Sequence, residues 1–492
     1  MDIEFGTDGW RTTVDEFTTP RIRAVGQAVA DYLQETTTGG GPEFGEGDLA
    51  VAVGYDPREG SREAAEELAR VLCANGVDAH LPERDTPTPV VAWTVTDRNL
   101  DGALQVTASH NPPAYNGIKF VPGDGAPALP EVTDRLAENL REPEPLDEAE
   151  WGSVEESDFL EPYFEHALEF AADATGRDAP GEGVDLSGVT VAHDAMHGSG
   201  RGVTDELLSR AGADVVRLRG ERDPEFGGES PEPGADHLGE LMDRVEGGDA
   251  DLGVANDGDS DRIGVVTPDR GYVSPNWLFA ALYDYLLESE APRASDSASG
   301  ERSEPRAGDA IRTVSTTFLI DHVAEAHGQA VHETPVGFKW VGKAMADHDA
   351  LVGGEESGGF GVRGHLRNKD GVMVALLVAA AHAEEPLDDR LDRIRDEHGD
   401  IVQDRVSVDC PDDRKAAVVD TLEDEIPDRV AGTEVDRVGT ADGFKLLLAD
   451  GSWLLVRPSG TEPKLRVYAE AGDRDRVEEL LAAGRDIVEP LI

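Results

Sequence analysis

Three stretches of the chain bring together residue types able to do chemistry. In Thr107-Ala108-Ser109-His110-Asn111-Pro112 a hydroxyl and an imidazole are neighbours, just after the apolar run 103–106. An unassisted serine is a weak nucleophile, so Ser109 needs a base, nearby positive charge or prior phosphorylation. The Asn-Pro pair blocks an immediate helix start and predicts an extended loop. In Asp257-Gly258-Asp259-Ser260-Asp261-Arg262 three acids alternate with small residues after the apolar run 252–255. In an extended loop, residues i, i+2 and i+4 project to one side, which would make the three carboxylates converge. Such a cluster calls for a cation, and all-oxygen donors favour one Mg2+ per chain. The pattern also resembles the start of a calcium loop or a solvated acidic turn. Against calcium, a strand-like run continues over 263–266 and Pro268 holds the twelfth position, where a glutamate would be needed. Arg262 beside the acids suits a phosphate oxygen.

The third stretch is Arg457-Pro458-Ser459-Gly460-Thr461-Glu462-Pro463-Lys464, with Arg466 just beyond. Arg457, two hydroxyls (Ser459 and Thr461) and Gly460, whose backbone can approach an oxyanion closely, have the make-up of a phosphate cradle. Two weaker stretches look like sugar readers. Gly354-Glu355-Glu356-Ser357-Gly358-Gly359 offers carboxylates and a hydroxyl on a flexible loop. Val336-Gly337-Phe338-Lys339-Trp340 offers a cation beside aromatics, although Phe338 and Trp340 are as well explained by a core.

These loops must be carried by something rigid. Short apolar runs (49–53, 103–106, 189–192, 252–255, 263–266) alternate with amphipathic stretches such as 62–72 and 204–211. That alternation predicts α/β units with parallel or mixed sheets, whose ligand sites lie in the loops after the strands. Seams are expected in the acidic stretch 142–157, at the turn Pro268-Asp269-Arg270-Gly271, and in the charged helix 387–398. They divide the chain into 1–155, 156–267, 268–395 and 396–492. The polar stretch 288–308 reads as a solvated insertion. The longest apolar run, 372–381, falls short of the roughly 20 residues that span a bilayer and reads as a buried helix.

Composition narrows the partners. The chain of 492 residues holds 102 acidic and 44 basic side chains, a formal charge of −58. So negative a surface repels nucleic acid and anionic membranes, and neither is an expected partner. Only seven of the basic residues are lysines. Acidic excess with scarce lysine suggests adaptation to high salt, where repulsion is screened within a few ångströms. Two distant cysteines and no visible export signal predict a cytoplasmic protein.

Taken together, FGTDGWR (5–11), TASHNP (107–112), NGIK (116–119), DGDSDR (257–262), GEESGG (354–359) and RPSGTEPK (457–464) occur in an order that resembles the α-D-phosphohexomutase superfamily. The resemblance spans nearly the whole chain. It implies an α/β protein of four domains, three similar units with mixed sheets and a smaller C-terminal α+β domain, around a central cleft. It further implies that Ser109 is a phosphoserine, its phosphate completing a Mg2+ shell with Asp257, Asp259 and Asp261. Arg11 and Arg262 would share the developing charge, and His110, Lys119 and Lys369 are the acid, base or positioning candidates. Glu355 and Ser357, with Gly337 and Lys339, would read the sugar. Arg457, Ser459, Gly460, Thr461 and Arg466 would hold the phosphate that is not reacting. The implied activity interconverts hexose 1- and 6-phosphates through a hexose 1,6-bisphosphate, which also serves as activator. Glucose and mannose are the expected sugars, glucosamine the runner-up, and a Mg2+-dependent sugar phosphatase or bisphosphate synthase the alternative class. Small sugar phosphates are the expected partners of a monomer or homodimer.

Overall fold

A computed structural model describes residues 3–6, 9–38, 49–174, 184–289, 307–460 and 462–492. Most of the insertion read at 288–308, together with Thr461, lies outside the described residues. Four sheets follow one another along the chain. The first runs Trp10–Thr13, Tyr115–Pro122, Gly102–Val106, Ala50–Tyr55, Asp78–Pro82, Val154–Ser157 in spatial order. The second runs Gly271–Val273, Ile263–Thr267, Leu252–Asn256, Thr190–Asp194, Asp214–Leu218, and the third Val331–Thr334, Ala310–Thr313, Val352–Gly354, Phe360–Val362.

These three sheets share one design. Each has parallel strands linked by helices, and one of its parallel strands turns back into an antiparallel partner. Those turns are the loops after Val106, Asn256 and Gly354, so Ser109, the three aspartates and Glu355 occupy equivalent places in three successive units. The fourth sheet is antiparallel throughout, and its hairpin between Trp453–Pro458 and Lys464–Ala471 carries the arginine-rich loop.

Burial explains why the units hold together. From Gly371 to Ala381 every residue of the helix Gly371–Glu384 is buried, as an all-round apolar helix must be. It packs against the strands Leu252–Asn256 and Ile263–Thr267 of the second unit, so the largest apolar cluster is shared across units. The fourth domain keeps a core of its own around Leu454, Leu465, Val467 and Leu480. It meets the third unit through a smaller patch in which the Lys445 ammonium lies 4.2 and 4.3 Å from the Phe318 and Trp453 ring centroids. Among the described residues no helix is long and apolar enough to cross a membrane.

The linear boundaries need shifting. The turn at Pro268–Gly271 is not a seam: it closes a hairpin in which Val265 faces Val273, so the second sheet runs past residue 267. Likewise residue 155 falls inside the strand Val154–Ser157, which pairs with Asp78–Pro82, and residue 395 inside the helix Leu387–His398. Charged, proline-containing sequence marks surface turns as readily as domain joints.

Candidate active site

Backbone bonds tie the acid-rich turn and the strand after it to the first and third units. Thr88 N donates to Asp259 O at 2.9 Å, Ile263 N to Gly358 O at 3.0 Å, and Gly371 N to Ser260 O at 3.1 Å. The Ser109 loop is a turn rather than the extended segment the Asn-Pro pair predicts. Ser109 itself is left-handed (φ 53°), a conformation that costs a non-glycine residue and must be enforced by its surroundings. The enforcement is visible. Ser109 N donates to Thr107 Oγ1 at 2.8 Å, and Thr107 Oγ1 donates to Asp56 Oδ2 at 2.7 Å. Arg58, 2% exposed, donates to Asp56 Oδ2 at 2.9 Å and to the carbonyls of Ser109, Asn111, Pro112 and Tyr115 at 2.6 to 3.1 Å. One buried guanidinium thus satisfies the loop's carbonyls and fixes its shape.

The acid-rich loop converges by another route than the expected one. It is a tight turn with left-handed Ser260 (φ 59°), not an extended strand, and the turn folds the three carboxylates together. One oxygen of each lies within 4.8 Å of the others. Ser109 Oγ donates to Asp257 Oδ2 at 2.8 Å, and Thr88 Oγ1 to Asp259 Oδ2 at 2.6 Å. Lys119 Nζ lies 2.8 and 2.9 Å from Asp259 Oδ2 and Asp261 Oδ2, and Lys369 Nζ 2.9 Å from Asp261 Oδ2. Even so, Asp259 Oδ1 and Asp261 Oδ1 are buried with no hydrogen-bond partner among the described residues. Orphaned anionic oxygens at that depth are costly unless a cation joins them. The donor set, oxygen only, fits a hard divalent ion. Charge is unevenly spread: burial and then its two acidic neighbours push Asp257 well above the usual carboxylate range, whereas Lys119 holds Asp259 below it despite burial.

His110 Nδ1 lies 3.4 Å from Ser109 Oγ. The positive charge of Arg262, then burial and Arg11, push its pKa well below the ordinary value. Arg262 N donates to Asp257 Oδ1 at 3.1 Å. Its Nε is buried without a hydrogen bond among the described residues, 3.9 Å from Asp261 Oδ1, which suits an incoming anion. Arg11 Nη1 donates to Asn111 Oδ1 at 3.2 Å, placing a second guanidinium beside the serine loop.

Around the sugar-reading loop, Gly337 N donates to Glu355 Oε1 at 2.9 Å. Ser357 is half-buried beside it, and Lys339 Nζ lies 5.9 Å from the Trp340 ring centroid. The Lys369 stem runs over Gly359: a Cβ there would sit 2.3 Å from Lys369 Cδ. Asp370 caps the following helix through Met373 N and accepts at 2.7 Å from both Tyr163 and His365, so the segment bearing Lys369 is anchored at its root.

The candidate phosphate-cradle loop bonds to side chains of its own domain. Arg457 Nε donates to Asp442 Oδ2 at 2.9 Å, while Arg466 and Lys464 pair with Glu462 at 3.0 and 3.2 Å. Ser459 is buried and Gly460 exposed, and Lys415 Nζ holds the Ser459 carbonyl at 2.7 Å from behind.

Comparison with known proteins bears on this arrangement. Four profiles match in sequence: phosphoglucomutase/phosphomannomutase α/β/α domain I over residues 2–146, domain II over 161–271, domain III over 274–398, and the C-terminal domain over 406–487. The chain belongs to the phosphoglucomutase/phosphomannomutase family. It is 29% identical over 489 residues to the phosphoglucomutase/phosphomannomutase of Thermococcus kodakarensis, covering 99% of this chain and 98% of that one. It is 32% identical over 495 residues to a probable phosphoglucosamine mutase of Methanopyrus kandleri, covering 99% and 98%. In fold it matches a phosphoglucomutase/phosphomannomutase family protein of Burkholderia thailandensis with a TM-score of 0.80 at 22% identity, covering 99% and 97%. The protein is therefore a mutase of the α-D-phosphohexomutase superfamily, an isomerase. Its relatives' names divide between sugars.

Within this family member, sequence reasoning missed Asp56, Arg58, Thr88 and Asp370. A signal existed for two of them, since Asp56-Pro57-Arg58 directly follows the strand Ala50–Tyr55, where ligand loops begin. Glu355 carries a pH prediction. Burial, only partly offset by Lys369, lifts it to about 7. Its carboxylate therefore forms as pH rises through neutrality, and KM for a sugar phosphate should fall between pH 6 and 8, with the trend abolished in Glu355→Gln. Stability runs the other way: with the folded value above the ordinary 4.5, this group's contribution is fully present below 4.5 and lost as pH rises through 7. A KM–pH profile of the two proteins checks it.

Proposed function

We propose that the protein interconverts hexose 1-phosphate and hexose 6-phosphate, glucose foremost, using Ser109 as phosphate carrier. The observation that carries this is the 2.8 Å bond from Ser109 Oγ to Asp257, beside two carboxylates with spare oxygens. Asp257, Asp259 and Asp261 would hold Mg2+, with the Ser109 phosphate completing the shell; the ion would neutralise charge on the phosphoryl oxygens. In one half-reaction the O6 hydroxyl of a hexose 1-phosphate attacks the phosphorus on Ser109. The O6–P bond forms, the P–Oγ bond breaks, and the hydroxyl proton goes to a base. After the 1,6-bisphosphate turns in the cleft, Ser109 Oγ takes the phosphate from O1 and O1 recovers a proton. Arg11 and Arg262 line the transferring group.

Lys119 and Lys369 are held on carboxylates, whereas His110 Nδ1 lies 3.4 Å from Ser109 Oγ, so we assign His110 the proton. Its weak basicity suffices because a loose phosphoryl transition state asks more for charge neutralisation than for strong base. Arg457, Ser459, Gly460, Thr461 and Arg466 would hold the idle phosphate. The bisphosphate would act as activator, and the charge of −58 supports a cytoplasm of high salt.

Glucosamine is the second reading, favoured by the name of the Methanopyrus kandleri relative. Incubating the protein with glucose, mannose or glucosamine 1-phosphate, Mg2+ and trace bisphosphate in high salt separates them. Glucose 6-phosphate should form with kcat/KM roughly tenfold above the others, about 1.4 kcal/mol of discrimination. A preference for glucosamine would overturn the sugar, and release of free phosphate would overturn the mutase cycle.

A further inference from the structure

Asp442 stands between two loops that the family's chemistry uses separately. It lies in the turn linking the strands Thr433–Gly439 and Phe444–Leu448. Its Oδ2 accepts from Arg457 Nε at 2.9 Å, within the fourth domain, and from Val336 N at 3.2 Å, in the third unit. The next amide, Gly337 N, is held by Glu355 at 2.9 Å. A continuous hydrogen-bonded chain therefore runs from the phosphate loop, through Asp442 and two consecutive amides, to the sugar-reading carboxylate. The turn is built for the purpose: Gly443 has φ 78°, and a Cβ there would lie 2.2 Å from Val456 O and 2.8 Å from Arg457 Cα. Only glycine lets Asp442 come down onto Arg457.

We propose that Asp442 is a positioning residue that latches the phosphate loop of the fourth domain to the sugar-reading loop of the third. Fixing Arg457 Nε fixes the plane of its guanidinium, and with it the direction in which the remaining donors face. The bond to Val336 crosses between domains while the bond to Arg457 lies within one, so any movement of the fourth domain away from the third would break the first and keep the second. The latch thus keeps the cradle over a bound sugar and retains the bisphosphate while it turns. This inference rests on reading Arg457 as the anchor of the idle phosphate.

Three variants test it: Asp442→Ala, Asp442→Asn and Arg457→Ala. The idle phosphate is held alike in ground and transition states, so its loss raises KM and spares kcat. For Asp442→Ala we expect KM for the 1-phosphate to rise about tenfold, the scale of a lost charge-assisted hydrogen bond, with kcat within about twofold. Need for added 1,6-bisphosphate should rise in parallel, because the intermediate escapes more often. Asp442→Asn, which keeps an acceptor, should fall between wild type and alanine. Combined with Arg457→Ala, Asp442→Ala should add little. An increase in KM for Arg457→Ala but not for Asp442→Ala would overturn the latch alone. No increase in either would overturn the cradle reading and the latch with it. A fall in kcat at unchanged KM and unchanged bisphosphate demand would show a merely structural role and likewise overturn it.

Discussion

Replacing Ser109 by alanine is expected to lower mutase turnover by about 10⁴-fold or more, the scale seen when a covalent carrier is removed. Its Oγ is the hydroxyl that touches Asp257. The fold should survive. Serine and alanine are equally disfavoured at φ 53°, and the turn is held by Arg58 and Thr107 rather than by the hydroxyl. A thermal transition within a few degrees of wild type, with no incorporation of phosphate from labelled bisphosphate, is the anticipated result. Activity within tenfold of wild type would sink the assignment.

Arg58→Ala should do the opposite, destabilising the protein strongly and removing activity as a consequence. Its loss strands Asp56 and leaves four loop carbonyls without their shared donor. Leaving one member of a buried pair uncompensated costs about 3–5 kcal/mol. Lysine cannot rescue, because a single ammonium cannot reach five acceptors spread over a planar fork. The double change Asp56→Asn with Arg58→Met, which removes both charges, should recover part of the loss. Calorimetry of the three proteins checks this, and a loss below about 1 kcal/mol for Arg58→Ala would refute the scaffold role.

These cases show what was readable in the chain. The apolar runs at 103–106 and 252–255 became the strands Gly102–Val106 and Leu252–Asn256, and the loops after them hold Ser109 and the three aspartates, because a buried strand must end where its polar loop begins. The convergence of the three aspartates was foreseen, but through extended geometry; alternation in sequence does not distinguish a strand-like loop from a tight turn. Lys119, one of three acid, base or positioning candidates in the sequence, is seated on Asp259 and Asp261, 140 and 142 residues away. Arg58 carried only its position after the strand Ala50–Tyr55 as a signal, and Asp442 none. Their meaning lies in partners distant in sequence or in backbone atoms, which leave no local pattern.

The close approach of Lys369 to Gly359 has a consequence for how such a site can change. The space above position 359 holds one side chain, and here it is the lysine's aliphatic stem, tethered at its far end to Asp261. A residue bearing any side chain at 359 must evict that stem, and a chain without the lysine has a void there to fill. The two positions are therefore coupled: lysine with glycine is one solution, and a bulky residue at 359 with a shorter one at 369 is the other. Moving the loop 354–359 between relatives without position 369 would therefore set a side chain at 359 against the lysine stem, or leave the stem's space unfilled.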